Sequence, residues 1–261
     1  GNPEHPLNRG GLCARGQALP QAMYHPDRFR TPLVRDGDRG SAVWREVGWD
    51  EALDRVATAL SRISRKDAVG FVTDAITGHR LEMVRRFLAA TGGGVHLVHD
   101  PFTTAAVARA HRRMADVTGG IGCEIDRASY VISFGAELLE SHVSPVRFAR
   151  GLAEMRRGRP GHRGKFVMVG PRLSLTGAKA DTWIPTRPGD ELPLAQAILA
   201  IVLDSGLYDR GFVARSTSGF DAFRDFVAAN VEPAAVAEHV GWPLSKLEQI
   251  AREFAANRSA V

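Results

Sequence analysis

Apolar residues recur at helical spacing through Ala52, Leu53, Val56, Ala59, Leu60 and Ile63. This predicts a helix that begins at Trp49, with Asp50 and Glu51 near its positive end. Val69-Gly70-Phe71-Val72 then reads as a short strand. Gly78 to Ala90 reads as a helix with Leu81, Val84, Phe87 and Leu88 on one face, and Val95 to Val98 as a further strand. Pro101 to Met114 is helical in pattern, with Pro101 in the first turn, where a missing N–H costs little. A clearer strand–helix–strand unit follows. Ser129 to Phe134 reads as a buried strand ended by Gly135. A helix opens at Ser144-Pro145 and runs to about Arg157, and Lys165 to Val169 is the next strand, ended by Gly170-Pro171. Trp183-Ile184-Pro185 is a shorter extended piece. Asp190 to Asp204 is a strongly apolar helix, and from Tyr208 onward the pattern is helical, at 220–229, 233–240 and 243–256. Strands alternating with helices imply an α/β fold with a parallel sheet covered on both faces. Residues 1–48 differ: they are rich in Gly, Pro and Arg, with little periodicity, and read as loops with a short hairpin around Asp36-Gly37-Asp38.

Composition narrows the class. The chain of 261 residues is 44% hydrophobic and 24% charged, which is ordinary globular composition with enough apolar content for a core. No apolar run approaches the ~20 residues that span a bilayer. No secretory signal is visible, and both ends read as cut, as in a fragment of a longer protein whose final residues, Arg252 to Val261, lead toward another strand. The formal charge of +5 comes from 34 basic residues, of which only four are lysines. The clusters at 109–113 and 156–159 lack interleaved aromatics, which argues against a nucleic-acid partner. Two cysteines far apart provide no disulfide framework.

Candidate chemistry concentrates in two places. Cys13 lies in a Gly-rich turn, two residues before Arg15. Glycines let the backbone approach a bulky inorganic group, and a nearby cation favours a thiolate. On spacing alone, a lone cysteine in a turn is more often a bystander than a ligand. The second place is the set of loops beyond the carboxyl ends of the strands, where open α/β sheets bind ligands. These are Phe134 to His142, Gly170 to Ser174, and Arg187-Pro188-Gly189-Asp190-Glu191. The last precedes a helix whose free N–H groups suit a phosphate. Carboxylates there can accept from ribose hydroxyls or from guanine N–H groups. Singly, each loop is also what an ordinary turn looks like. Cys123, the other thiol, reads as buried and inert. His5, His25, His79 and His142 show no metal-ligand spacing. There is no CxxC, no phosphate-binding P-loop and no Gly-x-Gly-x-x-Gly after a strand, and Ser133 and Ser144 have no readable base partner.

The stretch Gly1-Asn2-Pro3-Glu4-His5-Pro6-Leu7-Asn8-Arg9-Gly10-Gly11-Leu12-Cys13-Ala14-Arg15-Gly16 resembles the end of the iron–sulfur domain of molybdopterin oxidoreductases of the DMSO reductase superfamily. The strand-end loops resemble that family's later motifs, in order, over nearly the whole chain. The resemblance implies a Rossmann-like parallel sheet flanked by helices, preceded by the end of a small loop-rich iron–sulfur domain. Residues 1–48 would close that domain and residues 49–261 would begin the dinucleotide-binding α/β region. It further implies that Cys13 ligates a [4Fe-4S] cluster and that Arg15 tunes electron transfer. Gly135, Glu137, Glu140, Ser141, Pro171, Arg172, Gly189, Asp190 and Glu191 would hold a molybdopterin guanine dinucleotide, with molybdenum or tungsten. Two departures stand out: Glu137 replaces a common Asn, and Gly170 replaces a common Asp before Pro171-Arg172. The family's metal-ligand slot corresponds to His96–Thr104, which contains no Cys or Ser. The best register places Val98 in the slot with His99 beside it, and Asp100 fits only after a two-residue slip. The style of these variants is similar to members serving respiratory complexes, such as alternative complex III. That implies an iron–sulfur ferredoxin-like subunit and a membrane quinone-linked subunit as partners. It also implies a periplasmic or membrane-associated location. Two functions compete: an active oxidoreductase, and a metal-free electron-transfer or structural scaffold.

Overall fold

The computed structural model describes residues 1–64, 69–100, 105–117, 122–157, 163–257 and 259–261. Residues Gly1–Gly16 and Ala115–Val261 make one compact unit, and Gln17–Met114 make a second. The parallel strands accordingly fall into two sheets, one per unit, in place of the single sheet expected.

In the second unit, β1 (Leu33–Arg35) and β2 (Trp44–Glu46) form the expected antiparallel hairpin. The helix α2 (Trp49–Ser61) begins where the pattern placed it. β3 (Gly70–Thr73) and β4 (Val95–Val98) pair in parallel. The helix α3 (His79–Ala90) covers one face of them, burying Val84 and Leu88 with Val69. Gly94 is forced here: a Cβ on it would lie 2.6 Å from the Val69 carbonyl oxygen. The helix α4 (Ala105–Ala115) lies within the predicted 101–114 segment, whose first four residues are outside the described set. One helix, α1 (Ala14–Met23), forms where loops were expected. It carries Pro20 and buries no side chain, so no apolar stripe announces it.

The first unit is built on β5 (Tyr130–Phe134), β6 (Lys165–Gly170) and β7 (Thr182–Pro185), parallel and in that order. The two-residue period of β6 divides the core. Val167 and Val169 face α7 (Glu191–Asp204) and α11 (Leu244–Ala256), packing with Tyr130, Ile184, Leu194, Ile198, Leu247 and Ile250. Phe166 and Met168 point the other way, to α5 (Pro145–Arg157) with Phe148, Leu152 and Met155. Both faces are covered, which is why these strands read as unbroken apolar runs. The short α6 (Leu175–Ala178) and α8 (Arg210–Ser216) have no visible period in the sequence. The helices α9 (Phe220–Asn230) and α10 (Pro233–Val240) match expectation, the latter opened by Pro233 and closed by Gly241 in the left-handed conformation. After α11, Ala260 makes an isolated parallel bridge with Tyr130, and the Val261 N–H donates to the Tyr130 carbonyl at 2.9 Å. Among the described residues no helix is long and apolar enough to cross a membrane.

Two half-buried carboxylates pin this sheet. Asp181 accepts from the Phe166 N–H at 2.8 Å and pairs with Arg156 at 3.0 Å and Arg163 at 2.9 Å. Glu253 on α11 accepts from the Tyr130 hydroxyl at 2.8 Å and pairs with Lys165. Burial pushes both carboxyls up, but the N–H and cationic donors outweigh it and hold both below the usual range. A depressed folded-state pKa contributes stability above the unfolded pKa, and that stability is lost as pH falls through the folded value. The urea midpoint should therefore drop between about pH 5 and pH 3. Asp181→Asn should lower the midpoint at neutral pH and flatten this acid limb; an unchanged limb would mean that Asp181 carries none of it.

Candidate functional site

The three strand-end loops are brought to one edge of the β5–β6–β7 sheet. The first leaves β5 at Gly135, whose φ of +68° turns the chain and whose N–H donates to the Val169 carbonyl at 2.8 Å. The turn then closes on Glu137, whose carbonyl accepts from the N–H groups of Glu140, Ser141 and His142. The second leaves β6 through Gly170, Pro171 and Arg172 into α6, capped by the Ser174 hydroxyl. The third leaves β7 and turns at Arg187–Asp190, where the Asp190 N–H donates to the Arg187 carbonyl at 3.1 Å.

Side chains join the loops. The Glu137 carboxylate receives the Arg172 guanidinium and the Ser141 hydroxyl, the latter at 2.8 Å. The hydrogen bond from Arg172 holds the Glu137 carboxyl below the usual carboxylate range, ahead of a burial effect of opposite sign. Glu140 is committed to loop two: its carboxylate accepts from the N–H groups of Leu175 and Thr176, each at 2.9 Å, and from the Thr176 hydroxyl at 2.7 Å. Loops one and three also meet, since a Cβ on Gly135 would lie 3.7 Å from Glu191 Cγ. Glu191 itself accepts from the Gly189 N–H at 2.9 Å. Asp190 is buried and shapes the third turn, accepting from the Arg187 N–H at 3.3 Å and contacting His239 at 3.0 Å. Gly189, at φ +100°, faces open space.

The Cys13 segment belongs to the same unit. Its turn is knitted by Asn2 and His5: the Asn2 carbonyl accepts from the Gly10 N–H at 2.8 Å, and His5 Nδ1 accepts from the Asn8 N–H at 3.1 Å. Gly11 packs against α5, where a Cβ would lie 2.8 Å from Val146 Cγ1. The Gly16 N–H, foremost, and the Arg15 N–H and guanidinium hold the Cys13 thiol below its usual range, while burial pulls the other way. Arg15 also donates to the Glu140 carbonyl at 2.8 Å, tying the cysteine turn to the first strand-end loop.

Val98 is the last residue of β4 and is exposed. Beside it the His99 N–H donates to the Thr73 carbonyl, and His96 Nε2 lies 2.8 Å from the Thr73 hydroxyl. Residues 101–104 of the slot lie outside the described set. Among the described residues no group of three or more His, Cys, Asp or Glu is placed to hold a metal ion. Cys123, expected to be buried, is exposed, because the stretch 122–124 forms no regular structure. Sequence reasoning missed Thr176 and His239, which hold Glu140 and Asp190. Thr176 is fully buried under Glu140, thirty-six residues away, so adjacency in the chain gives no hint of it.

Among known proteins, the family model described as molybdopterin oxidoreductase matches residues 28–250. The chain is 30% identical over 98% of its length to the molybdopterin-binding-like subunit of menaquinone reductase from Nitratidesulfovibrio vulgaris, covering 35% of that protein. It is 29% identical, again over 98% of its length, to the thiosulfate reductase molybdopterin-containing subunit PhsA of Salmonella typhimurium, covering 33% of it. In fold it is similar to acetylene hydratase from Pelobacter acetylenicus, with a TM-score of 0.75 at 23% identity, over 98% of this chain and 35% of that one. The chain thus spans about a third of the length of these relatives. It belongs to the molybdopterin oxidoreductase family.

Proposed function

We propose that this chain is the part of a molybdopterin oxidoreductase subunit that supplies one thiolate of a [4Fe-4S] cluster and a strand-end crevice for a molybdopterin guanine dinucleotide. The observation that carries the reading is the convergence of three loops, joined by Arg172 on Glu137 and by Glu191 beside Gly135, at the carboxyl edge of one parallel sheet. In this reading residues 1–48 end an iron–sulfur domain and residues 49–261 begin the dinucleotide region.

The residues fit such a group. Four buried side-chain polar atoms have no hydrogen-bond partner among the described residues, and two of them, His142 Nδ1 and Thr186 Oγ1, belong to loops one and three. Buried polar atoms without partners in a folded protein call for water or a ligand. Gly135, Pro171, Gly189 and Arg172 would approach the ligand; Arg172 is an exposed cation of the edge. Glu137, Ser141 and Glu191 offer hydroxyl and carboxylate groups for ribose or guanine, while Glu140 and Asp190 fix the loops. When bound, the metal and its pterin dithiolenes supply the redox chemistry. Arg15, bonded to the Glu140 carbonyl, stands between the Cys13 turn and the crevice loop and is suited to tune the cluster's potential. Relatives that are menaquinone and thiosulfate reductase subunits support a respiratory setting. There an iron–sulfur ferredoxin-like subunit and a membrane quinone-linked subunit would be partners, at a periplasmic or membrane-associated location.

Val98 favours a second reading, a metal-free electron-transfer or structural subunit. An isopropyl group has no lone pair to complete a coordination sphere. Metal and pterin analysis with X-ray absorption on the full-length protein separates the two. The expected outcome is dinucleotide present with no side-chain ligand to metal. Stoichiometric molybdenum or tungsten with a light-atom ligand lost in Asp100→Ala would assign Asp100 to the slot. Absence of dinucleotide and of both metals, in a protein that still passes electrons, would establish the scaffold.

A further inference from the structure

We infer that the free edge of β3 is completed by a further parallel strand, supplied by the segment of the full-length polypeptide that follows Val261; this rests on the chain being part of a longer subunit. β3 and β4 form a sheet of two strands, and among the described residues no strand flanks β3 on its other side. The Val95 N–H donates to the Val69 carbonyl at 2.9 Å, and the His99 N–H donates to the Thr73 carbonyl at 2.8 Å. Val69, Phe71 and Thr73 therefore turn their backbone groups toward β4. Gly70 and Val72 alternate with them and turn theirs outward, where a parallel ladder would pair them. Beside this edge, between β3 and α3, lies a groove of about 480 Å³. Phe71, Ile76, Met83, Val84 and Phe87 line it. The Phe71 and Phe87 rings meet edge-on at 5.4 Å, and Met83 is 65% exposed.

Natural sheets blunt an edge that stays open with a charge, a proline or a bulge. β3 has none of these: it reads Gly-Phe-Val-Thr and pairs with β4 in unbroken register. One face of the sheet is bare as well. Phe71 packs with Val84 and Leu88, so Val72, Val95 and Leu97 share the opposite face, and all three are exposed. Parallel sheets occur with both faces covered. A bare apolar edge beside a bare apolar face calls for a permanent covering, which the same polypeptide can supply. The 261 residues match about a third of the length of their relatives. In the proposed subunit the segment before Gly1 belongs to a small loop-rich domain, which leaves the segment after Val261 to provide the strand. A parallel strand arrives through a crossover, usually a helix, and that helix would cover Val72, Val95 and Leu97. The strand's side chains on the α3 side would be apolar and would fill the groove.

Two measurements on the full-length protein test the pairing. The first is hydrogen exchange resolved to single amides. Gly70 and Val72 should exchange within about tenfold of Phe71 and Thr73, since both sets would be released by the same opening. The second replaces Met83, at the rim of the groove, with the photoreactive p-benzoylphenylalanine. Illumination should link it to a peptide from beyond Val261 with no gain in the mass of the polypeptide. Gly70 and Val72 amides that exchange as freely as those of an unstructured chain would overturn the inference. A cross-link to a second copy or to another subunit would also overturn it, by giving the edge to a different occupant. Intact mass checks the parent reading separately. A mature polypeptide with nothing after Val261 would overturn both, whereas a longer one with an open β3 edge would overturn this inference alone.

Discussion

Replacing Cys13 by alanine in the full-length protein should abolish its [4Fe-4S] signal and remove the corresponding iron. A cluster of this kind is held by four thiolates, and loss of one leaves an iron without its soft ligand. Cys13 is prepared for the role. It stands immediately before α1, its thiol held low by the Gly16 N–H and by Arg15, so the thiolate needed for ligation is favoured. The surrounding turn leaves little room to adapt: a Cβ at Gly11 would lie 2.8 Å from Val146, and one at Gly16 would lie 3.3 Å from Leu12. Iron content and the low-temperature electron paramagnetic resonance spectrum check the result. Unchanged values in Cys13→Ala would show that this cysteine is a bystander, the reading that spacing alone left open.

Leu194→Ala should destabilise the protein by about 3 kcal/mol, within the range for emptied leucine sites. Leu194 has no exposed surface and packs among Val167, Val169, Ile184, Ile198 and Leu247, where sheet, α7 and α11 meet. Its N–H also donates to the Asp190 carbonyl at 3.1 Å, so it sits directly behind the third loop. The cavity should therefore reach the site, and dinucleotide should be lost more readily along with the drop in stability. Leu194→Met, which conserves volume, should cost less than about 1.5 kcal/mol and retain the ligand. Urea denaturation and nucleotide release test both substitutions. A Leu194→Ala protein as stable as wild type would mean that α7 rests on other contacts.

What could be read in advance follows from what the chain repeats locally. β5 and β6 are mostly apolar because both faces of the sheet are covered, and α7 is apolar along most of its length, so they stand out without any alignment. The strand-end loops follow from the same logic, since the carboxyl ends of parallel strands are where turns must be. α1 was hidden because it buries nothing and carries a proline, and α6 because four residues cannot display a period. The separation into two sheets was hidden too, because β4 and β5 look alike as strands and only pairing assigns them to different units. The bonds that shape the strand-end loops join residues far apart in the chain: Glu140 with Thr176, and Asp190 with His239. No local pattern encodes such pairs.

The division of the first unit has a consequence for the order of events during synthesis. Its opening segment, Gly1–Gly16, belongs with residues 115–261, and residues 17–114 form a separate compact unit interposed in the chain. The hydrogen bond from Arg15 to Glu140 spans 125 positions. A ribosome therefore releases the cysteine turn long before its supports on α5 and the first strand-end loop exist. Until then the turn is a tethered segment waiting on a distant closure, and such closures form late. Nascent chains halted before α5 has emerged should expose Cys13 to thiol reagents, and chains that have passed α11 should protect it. If Cys13 ligates a cluster as proposed, its assembly would be timed by the completion of the sheet, not by the appearance of the cysteine.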